Sequence, residues 1–132
     1  MIFEVLGKPQ GKARPRIGKF GAYTPQKTVL YENTVKNTFK EQFPNFEPFT
    51  GEIKVCINAV FEVPKSYSKK KREQLLQGTG YTHKPDADNI SKIILDSLNG
   101  LAYVDDSQVT CLLVFKEYGY ENKVIVELQE IC

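Results

Sequence analysis

The residues best suited to chemistry lie in one stretch, Lys84-Pro-Asp-Ala-Asp-Asn-Ile-Ser-Lys92, which continues to Asp96 and then to Asp105 and Asp106. Asp86 and Asp88 are two positions apart, so in extended chain their side chains share a side. Pro85 biases Lys84 toward extended backbone. Asp88 stands where an apolar helical pattern begins. Lys92 and Asp96 follow it at intervals of four, which sets all three along one helical face. Asp105 and Asp106 come in the loop that follows. Carboxylate oxygens suit a hard divalent cation such as magnesium. Such an ion can activate a water and neutralise charge on a phosphoryl group. Carboxylates crowded together without a cation repel each other. Lys92 on the same face offsets that repulsion, and it is also placed to contact a phosphate or steady an attacking water. His83 is the only histidine and no cysteine is close in sequence, which points away from zinc.

Each piece has a plainer use. Asp86 or Asp88 alone reads as a helix cap. Lys92 with Asp96 reads as a surface ion pair. Asp105-Asp106 alone reads as a turn. The combination argues for a metal–phosphate site: paired acids before a helix, a lysine and an acid on its polar face, and another acid pair at the return.

The elements that must position these residues follow from periodicity. A strand is expected over residues 2 to 6. Residues 7 to 24 hold four glycines and two prolines and read as a long loop. Thr24 and Pro25 read as the cap and first position of a helix. Tyr31, Val35, Phe39 and Phe43 give that helix one apolar stripe, expected to pack on its own sheet. Residues 52 to 63 alternate as a strand. Ser68 is expected to cap a short helix over 69 to 77. A further helix should run from about 88 to Asn99, stopped by Gly100, with Ile90, Ile93, Ile94 and Leu98 buried. Residues 109 to 117 and 123 to 130 read as two strands joined as a hairpin. The implied fold class is α/β (α+β): a small mixed β-sheet packed against helices, in one domain spanning 1–132.

Net charge is only +2, but residues 1 to 30 sum to +5, residues 64 to 84 sum to +5, and the remainder sums to −8. Two basic stretches around an acidic remainder suit a polyanion held near an acidic site. Lys12, Arg14, Arg16 and Lys19, then Lys69, Lys70, Lys71 and Arg72, are the candidate phosphate contacts. The longest aliphatic-aromatic run, Cys111 to Phe115, is too short to span a bilayer. No membrane partner is expected. Cys56, Cys111 and Cys132 fit no disulfide framework, which suits the cytoplasm. The N-terminus reads as a strand, without a targeting segment.

The run Asp86-Ala-Asp-Asn-Ile-Ser-Lys92-Ile-Ile-Leu-Asp96-Ser-Leu98, followed by Asp105-Asp-Ser-Gln-Val109, resembles the signature of RusA-type Holliday-junction endonucleases. That signature is Asp-x-Asp-Asn-x-x-Lys-x-x-x-Asp-x-Leu, then Asp-Asp-x-x-Val, and every fixed position is present. Gly7-Lys-Pro-Gln-Gly-Lys-Ala-Arg-Pro-Arg16 resembles the family's basic N-terminal loop, so the likeness covers essentially the whole chain. The resemblance implies a RusA-like fold and a magnesium-dependent homodimer, with manganese as a substitute. It also implies paired symmetrical nicks in four-way DNA junctions that leave 5′-phosphate and 3′-hydroxyl ends. Carried over by motif, Asp86, Asp88 and Asp106 bind metal and Lys92 is the essential lysine. Asp96 and Asp105 support them from behind. Phe20 or Tyr23 stands where the family can use an aromatic near the junction centre. Two other functions remain open: a nuclease for flaps or other branched DNA, and a branched-DNA-binding protein without catalysis. The preferred cutting sequence and a cellular or prophage origin are not carried over.

Overall fold

The alternation over residues 53 to 63 becomes the middle of a sheet: Ile53, Val55, Ile57 and Ala59 are wholly buried, and Phe61 and Val63 nearly so. The structure is a computed structural model that describes residues 1–131. Cys132 lies outside the described residues. In chain order the elements are β1 (Ile2–Leu6), β2 (Arg16–Gly18), β3 (Gly21–Tyr23), α1 (Gln26–Gln42), β4 (Ile53–Glu62), α2 (Lys69–Leu75) and α3 (Ala87–Leu98). A 3-10 turn (Asp106–Gln108), β5 (Val109–Gly119) and β6 (Lys123–Glu130) complete the order. The main sheet has the order β1-β6-β4-β5; β5 runs parallel to β4, and the other pairs are antiparallel. It is a mixed sheet with helices, as the sequence implies.

One hydrophobic core joins the sheet to both long helices. Tyr31, Val35 and Phe39 of α1 and Ile90, Ile93, Ile94 and Leu98 of α3 meet Phe3, Val5, Val124, Val126, Leu128 and the buried side of β4. The aromatic stripe of α1 therefore packs on its own sheet. Phe3 meets Phe39 edge-on, and the ladder continues through Phe43 and Phe46 to Phe49. Ser68 caps α2, accepting from the Lys71 N–H at 3.2 Å. Gly100 takes φ 81° just beyond α3, a left-handed conformation that suits glycine. Cys56 and Cys111 are free thiols. No helix among the described residues is long and apolar enough to cross a membrane.

Three local expectations are corrected. β5 and β6 do not pair as a hairpin, because β4 lies between them. Their connection instead passes the end of β4, where Asn122 accepts from the Glu62 N–H at 2.9 Å and Gly119 accepts from the Val63 N–H at 3.2 Å. Parallel neighbours need a long crossover; here residues 63–108, including α3, return the chain from the end of β4 to the start of β5. The supposed long loop over 7–24 contains the β2–β3 ribbon, with Gly21 at φ 107° and Ile17 paired with Ala22. Thr24 is not the cap of α1. Pro25 occupies that position and accepts from Thr28 and Val29 through its carbonyl.

Gly119 presses so closely on Val60 that an added Cβ would meet the Val60 Cγ1. Gly119→Ala is expected to destabilise the fold by about 1–3 kcal/mol through overpacking. A denaturant midpoint equal to that of the parent would refute it.

Candidate active site

α3 begins where its apolar stripe begins, and the residue before it is Asp86. Asp86 has extended backbone, its carbonyl accepts from the Ile90 N–H at 3.0 Å, and its side chain makes no capping bond. Its carboxylate is therefore not consumed by the helix it precedes. Asp88 lies in the first turn and is exposed. The positive end of the helix dipole favours negative charge at both positions. Among the described residues, Asp86, Asp88 and Asp106 take part in no ion pair.

The N-terminal loop is seated on this end of α3. The Lys12 N–H donates to the Asn89 carbonyl at 2.9 Å. Gly11 allows the approach, since a Cβ there would lie 2.9 Å from Pro85 Cβ and 3.0 Å from Asn89 Cβ. The Lys12 ammonium then reaches Glu32 of α1 at 3.2 Å and Asp96 of α3 at 3.3 Å, with its side chain only 19% accessible. Burial opposes that charge, but the hydrogen bonds and charges of Glu32 and Asp96 prevail and hold Lys12 above its ordinary pKa. Lys12 thus ties together loop, α1 and α3. Lys92, far more exposed, approaches Asp96 at 3.7 Å.

The return segment is fixed at several points. Tyr103 is fully buried and its hydroxyl donates to the Leu95 carbonyl at 2.6 Å. Burial first, then the charges of Asp106, Asp96 and Asp105, push this phenol well above its ordinary pKa. Asp105 caps the 3-10 turn: its carboxylate accepts from the Ser107 N–H at 3.1 Å, and Gln108 Oε1 accepts from the Asp105 N–H at 2.9 Å. Gln108 Nε2 donates to the carbonyls of Phe49 and Gly51, each at 2.8 Å. Asp106 therefore rides on a braced turn while its own side chain stays exposed.

The bonds from Ser107 hold the Asp105 carboxyl below its ordinary pKa of 3.8. A carboxyl depressed on folding stabilises the turn above the unfolded pKa, and that stabilisation is lost as pH falls through the lower folded value. Amide exchange at Ser107 is therefore expected to quicken, relative to neighbouring strands, only as pH drops below about 3.8. Quickening near neutrality would contradict this.

Beside Asp86 opens a cleft of about 360 Å³ lined by Lys8, Lys12, Lys27, Lys84 and Asn89 among others. Arg14 and Arg16 are exposed on the way into β2. Lys19 and Phe20 form the tip of the ribbon, and Phe20 is 97% exposed. Tyr23 lies over Gly18, where a Cβ would come 2.9 Å from its ring. Lys69, Lys70, Lys71 and Arg72 are exposed on α2, with the Lys71 ammonium 4.0 Å above the Tyr67 ring.

The structure brings Asp96 together with Lys12 and Lys92, and through Lys12 with Glu32. It does not assemble a closed cage: among the described residues, no three His, Cys, Asp or Glu side chains stand close enough to hold a metal ion. The donor set nonetheless fits magnesium in kind. Asp86 lines an open cleft, and Asp88 and Asp106 are exposed; magnesium is usually held by one or two carboxylates, with waters and substrate phosphates completing its shell.

Sequence reasoning passed over Gln108, Glu32, Tyr103 and Gly11. Gln108 carries a readable signal, since Asp105-x-x-Gln108 has capping-box spacing. Glu32 carries none, because nothing local marks which acid on α1 will meet Lys12.

Acids at the start of a helix, a braced acidic return and a lysine-lined cleft on a mixed sheet would suit an enzyme acting on a phosphate polyanion. Residues 7–129 match the endodeoxyribonuclease RusA family, and the chain belongs to that family. It is also 36% identical over 136 residues to YqaN, an uncharacterized protein of Bacillus subtilis (strain 168), across 98% of this chain and 95% of that one.

Proposed function

We propose that this endodeoxyribonuclease resolves Holliday junctions, cutting two opposed strands by paired symmetrical nicks. The observation that carries the reading is the placement of Asp86 in a cleft with four lysines, Lys8, Lys12, Lys27 and Lys84. Asp86, Asp88 and Asp106 would hold magnesium, for which manganese can substitute. The bound ion supplies the charge that makes a water nucleophilic and offsets negative charge growing on the phosphodiester. Lys92, with its side chain 62% accessible, offers its ammonium to that same phosphate. Asp96, paired with Lys12 and Lys92, sets the position of both lysines. Lys8, Lys27 and Lys84 draw the DNA backbone toward the acids. A junction has two equivalent strands, and a two-fold homodimer presents two equivalent sites to them.

The test is a labelled synthetic four-way junction incubated in magnesium, with a flap and a linear duplex as controls. Symmetrical paired nicks in the junction, with the duplex intact, are expected. Faster cutting of the flap would make the chain a nuclease for other branched DNA. Junction binding in calcium without turnover in magnesium would make it a binding protein.

Arg14, Arg16 and Lys19 are the proposed backbone contacts on the ribbon. Replacing Arg14 and Arg16 by glutamine is expected to weaken junction binding. It should also lower the slope of log affinity against log salt by about 0.9 for each phosphate no longer neutralised, about 1.8 for the pair. An unchanged slope would remove both from the footprint.

A further inference from the structure

A second cleft, of about 490 Å³, shares Lys8 with the lysine-lined cleft at Asp86. Its walls are largely aromatic: Tyr67, Tyr81, His83 and Tyr118 line it, with the cations Lys8 and Lys65 and one acid, Glu62. The rings are held before any ligand arrives. The Tyr81 N–H donates to the Lys116 carbonyl at 3.0 Å, which lays its segment along β5. The Tyr81 ring lies parallel to Phe61, with centroids 3.7 Å apart and 3° between planes, and Tyr118 meets it edge-on at 5.2 Å. Lys116 donates to the His83 carbonyl at 2.7 Å. Phe61 takes one face of Tyr81 and the Lys71 ammonium one face of Tyr67, which leaves the other face of Tyr67 and the half-buried ring of Tyr118 to serve a ligand. The segment carrying Tyr81 and His83 leads directly into Asp86.

We propose that this cleft takes an unpaired nucleotide of the DNA strand whose phosphate lies at Asp86. The base stacks on Tyr67 and Tyr118, and the flanking phosphates meet Lys8 and Lys65. Aromatic rings interleaved with cations bind single-stranded nucleic acid with little regard to sequence, because every base offers a π-face. A base next to a branch point has lost part of its stacking, so it is drawn out at lower cost than one inside a duplex. A tyrosine-lined groove also suits a proline-rich peptide. Lys8 and Lys65, the first of them shared with the lysine-lined cleft at Asp86, favour the nucleotide. The inference rests on the reading of the chain as a junction nuclease.

The test is binding of a short labelled oligodeoxythymidylate in calcium, by anisotropy, to the full chain and to Tyr67→Leu, Tyr118→Leu and the two corresponding phenylalanine variants. The leucine variants are expected to bind about tenfold more weakly, and the phenylalanine variants within about twofold of the parent. In parallel, an oligonucleotide carrying 2-aminopurine should lose fluorescence on binding the parent protein, a reading that needs no variant to fold. Unchanged affinity in the leucine variants, equal losses in the phenylalanine variants, or a fluorophore that stays bright would overturn the proposal. A proline-rich peptide that binds where the oligonucleotide does not would overturn it too. Cleavage of the four-way junction by the parent is scored separately. A chain that cuts junctions but fails these readings loses only the subsite; one that passes them but does not cut loses only the resolvase reading.

Discussion

Asp88→Asn is expected to lower junction cleavage by at least about 10²-fold, with binding equal to or tighter than the parent's. Asparagine keeps the shape of the side chain and removes the charge that would hold the cation. Asp88 is exposed and takes part in no ion pair among the described residues, so the exchange has little to break in the fold. Surface changes of this kind stay within about 0.5 kcal/mol. A loss of activity therefore reports chemistry and not unfolding. Removing a negative charge beside a lysine-lined cleft should, if anything, strengthen attraction for DNA. The same result is expected for Asp86→Asn and Asp106→Asn. Cleavage by Asp88→Asn at the parental rate in magnesium would end the assignment.

Gln108→Leu is expected to be the most damaging change outside the carboxylates. One side chain accepts from the Asp105 N–H and donates to the carbonyls of Phe49 and Gly51. Leucine keeps comparable bulk and loses all three bonds. Each is worth about 1 kcal/mol net, so the loss is about 1–3 kcal/mol. That should lower the melting temperature by roughly 3–10 °C. The functional cost comes from Asp106, whose turn is then untied from the connector between α1 and β4. Misplacing a reacting group by about 1 Å can cost about 10²-fold, so cleavage should fall by about tenfold or more. The distinguishing readout is the magnesium concentration for half-maximal cleavage, which should rise while junction affinity holds. A lower melting point with an unmoved magnesium requirement would reduce Gln108 to a purely structural brace.

What was legible in the sequence was local. The period-two pattern of β4, the period-four stripe of α1 and the Ile/Leu face of α3 each write their burial into adjacent residues. The site residues were legible for the same reason: Asp86, Asp88, Lys92 and Asp96 lie within one short run from the end of a loop into α3. The β5–β6 connection was not legible, because a short polar link between two strands looks the same whether they pair or straddle a third. The β2–β3 ribbon left no trace, since strands three residues long with little buried surface have no alternation to read. Lys12 was counted among the phosphate contacts from charge alone. Its capture by Glu32 and Asp96 depends on how the loop crosses α3, which no spacing encodes. The capping box at Asp105 and Gln108 was written in the residues and is the one bracing feature a closer reading could have extracted.

The most direct measurement is paramagnetic broadening of backbone amides by substoichiometric manganese, alone and with a four-way junction whose linkages resist cleavage. If one bound cation joins the start of α3 to the turn before β5, amides of residues 86–89 and 105–108 broaden together. Broadening at the first group while the second stays sharp, with DNA present, would contradict a shared ion.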